Sequence, residues 1–79
     1  MFRHPLDYTI DTIKEILNIP IKMDIRKDGG NEITEIISGA IVKCTVSGDS
    51  YPRPFYFRVQ LADGTERVLY IMDIKRFWK

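Results

Sequence analysis

The sequence predicts an α+β domain, one N-terminal helix followed by a small antiparallel barrel of four to five strands. Three features point there. Before Pro20 the apolar residues recur at steps of three and four, the spacing of one helix face. After Pro20 they alternate with polar residues, the period of a strand with one wet face. Turn residues, Asp28-Gly29-Gly30-Asn31 and Asp63-Gly64, divide this second region into pieces joined too tightly for crossover helices, so neighbouring strands run antiparallel.

The helix is placed at about 7–18. Leu6, Ile10, Ile13 and Leu17 form its apolar stripe, widened by Ile16, while Asp11, Lys14, Glu15 and Asn18 fall on the other side. Asp7 or Thr9 supplies the N-cap, its side-chain oxygen accepting from free N–H groups of the first turn. Asn18 and Pro20 end it, because Pro20 has no N–H to donate and biases Ile19 toward extended backbone.

The barrel occupies about 20–79. Ile21, Met23 and Ile25 alternate with Lys22, Asp24 and Arg26 in its first strand. A long apolar stretch runs from Ile33 to Val46, with Ile36, Ser38, Ala40, Val42, Cys44 and Val46 on one face and Ile37 and Ile41 on the other. Such a stretch calls for cover on both sides, from the helix or from a second copy in a homodimer. Gly39 interrupts it, and a lone strand glycine marks a bulge or sharp bend. After a loop over 47–54, Phe55, Phe57, Val59 and Leu61 alternate with Tyr56, Arg58 and Gln60. Inward Phe55 and Phe57 place Tyr56 and Arg58 outside. Glu66 to Met72 forms a further strand, and Asp73 to Lys79 one turn and a brief closing strand.

A single long, bent strand is how a small sheet closes on itself, and the natural closure here is a partly open five-strand barrel of the SH3 or Sm type. The layout, together with Val68-Leu69-Tyr70-Ile71-Met72-Asp73-Ile74-Lys75-Arg76-Phe77, resembles the Sm-like barrels of small bacterial and phage proteins, including the YolD-like family. The resemblance implies a regulatory protein of a bacterium or phage. No RNA-binding string of the Sm kind is present, so no binding residues carry over from it.

At 79 residues and 9.3 kDa the chain has room for one domain spanning 1–79. A domain of this size buries only about 60–65 % of its unfolded surface, so shallow surfaces suit it better than deep pockets. Hydrophobic residues at 44 % and charged residues at 29 % exclude a disordered chain. Cys44 is the only cysteine, which excludes an intrachain disulfide and, with no leader-like or membrane-spanning stretch, indicates a cytoplasmic protein without membrane contact. A net charge of +1 removes the simplest argument for nucleic-acid binding.

Catalytic chemistry has little material. His4 is the only histidine and lies near the chain start, while Cys44 sits in a strand as a small buried hydrophobe. One Cys and one His cannot complete a zinc sphere. Asp7, Asp11 and Glu15 share a helical face but read as a solvated one. The segment from Asp28 to Glu32 lacks the ligand spacing of a calcium loop. The chain is therefore expected to be no enzyme and to hold no cofactor or metal.

Aromatic residues interleaved with cations are more informative. Residues 51–58 read YPRPFYFR, and residues 41–79 carry 7 basic against 4 acidic groups where residues 1–40 carry 5 against 7. Tyr51, Arg53, Tyr56, Arg58, Arg76 and Trp78 are of the types enriched at protein–protein hot spots. They are the expected partner-binding residues of a small non-enzymatic interaction module, a regulator or accessory subunit that binds a protein. The alternative is a nucleic-acid-binding regulator, with Tyr56 stacking on bases and Arg58 on phosphate.

Overall fold

Alternation after Pro20 produces strands where it occurs. They are β1 (Pro20–Arg26), β2 (Ile33–Ser47), β3 (Arg53–Leu61), β4 (Glu66–Tyr70) and β5 (Ile74–Trp78). The structure, a computed structural model, describes residues 2–27, 30–48 and 50–79, so part of the expected turn at Asp28-Gly29 and loop residue Asp49 lie outside the described residues. All five strands form one antiparallel sheet in the order β4-β3-β2-β1-β5. Ile71 and Met72, expected in β4, instead belong to a 3-10 turn, Ile71–Asp73.

This turn joins the two edges of the sheet, which forces the sheet to curl. Five strands laid flat would set β4 and β5 about 19 Å apart. The four residue steps from Tyr70 to Ile74 reach at most about 14 Å. β2 supplies the curl by pairing with β1 over its first half and with β3 over its second, the change falling at Gly39 and Ala40. A Cβ on Gly39 would lie 2.5 Å from the Gln60 carbonyl oxygen, so only glycine lets the strands pass this closely. At the β3–β4 end, Gly64 sits at φ +88° after a turn closed by Gly64 N–H to Leu61 O, the left-handed position of a short hairpin loop.

The inner face gathers one core. Ile21, Met23 and Ile25 come from β1, Ile37 and Ile41 from β2, Phe57 and Val59 from β3, Leu69 from β4, and Ile74 and Phe77 from β5. Ile37 and Ile41 of β2 face the core, and after a register slip between Ile41 and Lys43 it is Cys44, opposite Phe57, that packs against it, while Ile36 and Val46 stay exposed.

The expected α+β architecture is not formed: the domain is mostly β. Among the described residues no helix reaches seven residues, and in place of the helix at 7–18 stand two 3-10 turns, Pro5–Asp7 and Thr12–Glu15. Nor does a helix-capped barrel result, since β4 and β5 remain the unpaired edges of the sheet. The cause is local and tertiary together. Thr9 Oγ1 accepts from the backbone N–H of Asp11 and Thr12, and Thr12 Oγ1 from that of Thr9, giving the backbone partners other than helical carbonyls. Tyr8, extended between the turns, is buried with its ring edge-on to Phe77 at 5.7 Å. Asn18 N–H then donates to Ile41 O, and Leu17 bridges Ile41, so the segment ends as an addition to the sheet. Tyr8, Ile13 and Ile16 enter the core, whereas Leu6 and Ile10 of the expected stripe are 39 % and 41 % exposed.

Candidate interaction surface

The pairing of β2 with β3 slips by one residue near its end: Thr45 faces Tyr56, but Val46 faces Pro54. Phe55 is the extra residue of this bulge, and two successive side chains of a bulged strand can leave on the same side. Pro54 and Phe57 are buried, while Phe55, expected inside, is exposed beside Tyr56. Across the β3–β4 hairpin Tyr56 stands directly opposite Tyr70. The three rings pack together, Phe55 edge-on to Tyr56 at 4.8 Å and to Tyr70 at 5.2 Å, and Tyr56 tilted against Tyr70 at 4.3 Å. The neighbouring Tyr70 hydroxyl, with some burial, holds Tyr56 above the ordinary tyrosine pKa.

Phe55 also opens a groove of about 320 Å³, lined by Leu6, Tyr8, Arg53, Phe55, Ile71 and Met72 among others. Arg26 Nε donates to Met72 O at 2.9 Å and so fixes the turn that forms one wall. Apolar surface therefore continues from Leu6 and Met72 through Phe55, Tyr70 and Tyr56 to exposed Val68. Of the six expected binding residues, Arg53 lines this groove and Tyr56 belongs to the ring cluster beside it. Arg58 lies in register between Lys43 and Val68, its Nε 3.7 Å from Glu66. Tyr51 is 84 % exposed in the preceding loop. Leu6, Phe55, Tyr70 and Met72 belong to the surface although sequence pattern did not single them out.

Arg76 and Trp78 lie on the other edge of the sheet and do not join this group. Both reach Asp24 on β1: Arg76 Nε donates to one carboxylate oxygen and Trp78 Nε1 to the other, at 2.8 Å for the indole. Lys22 Nζ sits 4.8 Å from the Trp78 ring centroid and the Arg76 guanidinium carbon 5.5 Å from it. Asp24 is 1 % exposed. Its burial pushes the carboxyl pKa up, but the hydrogen bonds from Arg76 and Trp78 outweigh this and leave it below the ordinary value of 3.8. Trp78→Phe, which keeps the ring and removes the N–H, is expected to cost about 1–2 kcal/mol in urea unfolding. Tyr51→Ala is expected to leave the midpoint unchanged within about 0.5 kcal/mol. Equal effects of the two changes would contradict this division of roles.

The groups with chemical potential are held apart in their bonding. His4 Nδ1 accepts from Leu6 N–H and caps the first 3-10 turn. Cys44 is partly buried against the core, and burial pushes its thiol pKa up, away from a reactive thiolate. Glu15 pairs with Arg3 at 3.2 Å. Among the described residues no three His, Cys, Asp or Glu side chains gather closely enough to hold a metal ion. No helix among them is long and apolar enough to cross a membrane. No protein-family model, no curated protein and no solved structure matches this chain.

Proposed function

We propose that this chain is a non-enzymatic interaction module whose β3–β4 face docks a protein partner, in the role of a regulator or accessory subunit. The observation that carries the reading is the continuous apolar surface made by Phe55, Tyr56 and Tyr70 with the groove under Leu6 and Met72. Leu6, Phe55, Tyr56, Tyr70 and Met72 all lie outside the core cluster. Buried on binding, large rigid rings contribute much area at little entropic cost, which is why such clusters dominate binding energy. Arg53, Arg58 and Lys43 around it would favour a partner surface carrying carboxylates.

The test is recovery of a specific partner by the full chain, followed by measured affinity. Tyr56→Ser with Tyr70→Ser is expected to weaken that complex by about thirty-fold or more, the effect of losing one hot spot. Urea unfolding of the double variant should remain cooperative. Unchanged affinity in the double variant, or loss only with Trp78→Phe, would sink the assignment to this face.

Binding of single-stranded nucleic acid is a second reading. One observation favours it: Lys43 and Arg58 stand directly opposite one another beside the tyrosines, a like-charge pair that an anionic ligand would relieve. Fluorescence anisotropy of labelled single-stranded DNA and RNA decides it. Binding that weakens steeply with salt and is lost in Arg58→Ala supports it, and flat traces at low salt reject it.

A further inference from the structure

The outer side of the bend at Gly39 carries a second cavity, of about 470 Å³, distinct from the aromatic face. It crosses three strands where Pro20 and Ile21 of β1, Gly39 and Ala40 of β2, and Gln60 and Leu61 of β3 lie side by side. The close passage that glycine permits leaves bare backbone and an alanine methyl at the floor, with Leu61, Ala62 and Pro20 as apolar flanks. Two cations stand at its rim, Lys22 and Lys79, and no carboxylate side chain lines it.

Among the described residues neither rim lysine is paired with a side-chain carboxylate. Asp24, two residues along from Lys22, has both oxygens bound by Arg76 and Trp78. Asp63, beside Ala62, accepts from the Thr65 backbone N–H and hydroxyl. Lys22 is further held in place over the Trp78 ring. The result is an apolar trough with two unpaired lysine side chains on one side and a size within the usual range of small-molecule sites.

We propose that this groove binds a small amphipathic carboxylate, its apolar chain along Ala40, Leu61 and Ala62 and its anionic head between Lys22 and Lys79. The proposal does not rest on the role assigned to the Tyr56–Tyr70 face.

Amide chemical shifts of the ¹⁵N-labelled full chain, titrated with sodium decanoate, decanol and inorganic phosphate, test it. Saturable decanoate shifts confined to Lys22, Gly39, Ala40, Leu61 and Ala62 are expected. Decanol should bind about tenfold more weakly, as should decanoate to a Lys22→Glu, Lys79→Glu variant, and phosphate alone should shift nothing there. Ala62→Trp, which fills an exposed edge of the groove, should abolish the decanoate shifts while keeping a folded spectrum. Absence of saturable shifts, equal binding of decanol, or undiminished binding to the charge-reversed variant would overturn the proposal. So would decanoate shifts on the Tyr56–Tyr70 face in place of the groove. If acetyl-Leu-Leu-Glu moves these amides and decanoate does not, the groove serves a peptide and the proposal also fails.

Discussion

Gly39→Ala is expected to cost about 3 kcal/mol, the upper end of what an overpacked site loses. The new Cβ would lie 2.5 Å from the Gln60 carbonyl oxygen and 3.0 Å from a Val59 methyl. A side-chain end can swing aside, but a carbonyl oxygen in the β2–β3 ladder cannot move without disturbing the ladder. For 79 residues a total stability of about 4–12 kcal/mol is ordinary, so the loss is a large share of it. The urea midpoint should fall with the slope unchanged, because the unfolded state exposes the same surface. Gly64→Ala supplies the contrast. Nothing stands within 4 Å of a Cβ there, and the cost comes from φ +88° alone, about 1–2 kcal/mol. Gly39→Ala unfolding at the wild-type midpoint would show that the two strands do not pass so closely.

Gly39 was legible in the sequence because an uninterrupted β pattern surrounds it, so one residue without a side chain had to mark a departure from regular pairing. The strands were legible for the same reason: burial on one face imposes a period of two along most of each strand, interrupted where a bulge shifts the register. The N-terminal segment was not. Leu6, Ile10, Ile13 and Leu17 fit a helix stripe, yet helix formation competes with other partners for the same backbone groups. Threonine hydroxyls, the burial of Tyr8 against Phe77 and the Asn18–Ile41 hydrogen bond take those groups instead. A segment rich in Thr and Ile has weak helical preference, and contact with the sheet decides it.

The candidate surface was half legible. Tyr56 and Arg58 follow from alternation with Phe57 and Val59, both buried. Tyr70 carried a signal that pattern alone does not use: counting outward from the Asp63-Gly64 turn, Gln60 meets Glu66, Arg58 meets Val68, and Tyr56 meets Tyr70. Phe55 carried none, since a bulge depends on the register of β2 against β3, which no residue of β3 records. Arg76 and Trp78 looked like binding residues by type. Only the β1–β5 pairing brings them to Asp24, more than fifty positions away in the chain.

Acid should weaken this domain through Asp24 in a way that Asp24→Asn removes. The folded carboxyl titrates below its ordinary 3.8, so the unfolded chain takes up the proton first. Stability from this group is therefore fully present above that value and is lost as pH falls through the lower, folded pKa. At pH 7 Asp24→Asn is expected to cost about 1–3 kcal/mol, because the amide cannot accept from both Arg76 and Trp78 with the strength of a carboxylate. The Arg76 side chain is 63 % exposed, and solvent screening holds the figure toward the lower end. Urea midpoints of the two proteins should converge as pH drops below the carboxylate range, where the wild type too is neutral at this position. Arg76→Ala should behave differently. It leaves a buried carboxylate with the indole N–H alone, so the folded carboxyl pKa rises toward the unfolded one and the loss of stability in acid shrinks. A gap between wild type and Asp24→Asn that stays constant or widens in acid would mean that Asp24 is not held as an anion. The β1–β5 edge would then rest on packing of Trp78 and not on its charge-assisted hydrogen bonds.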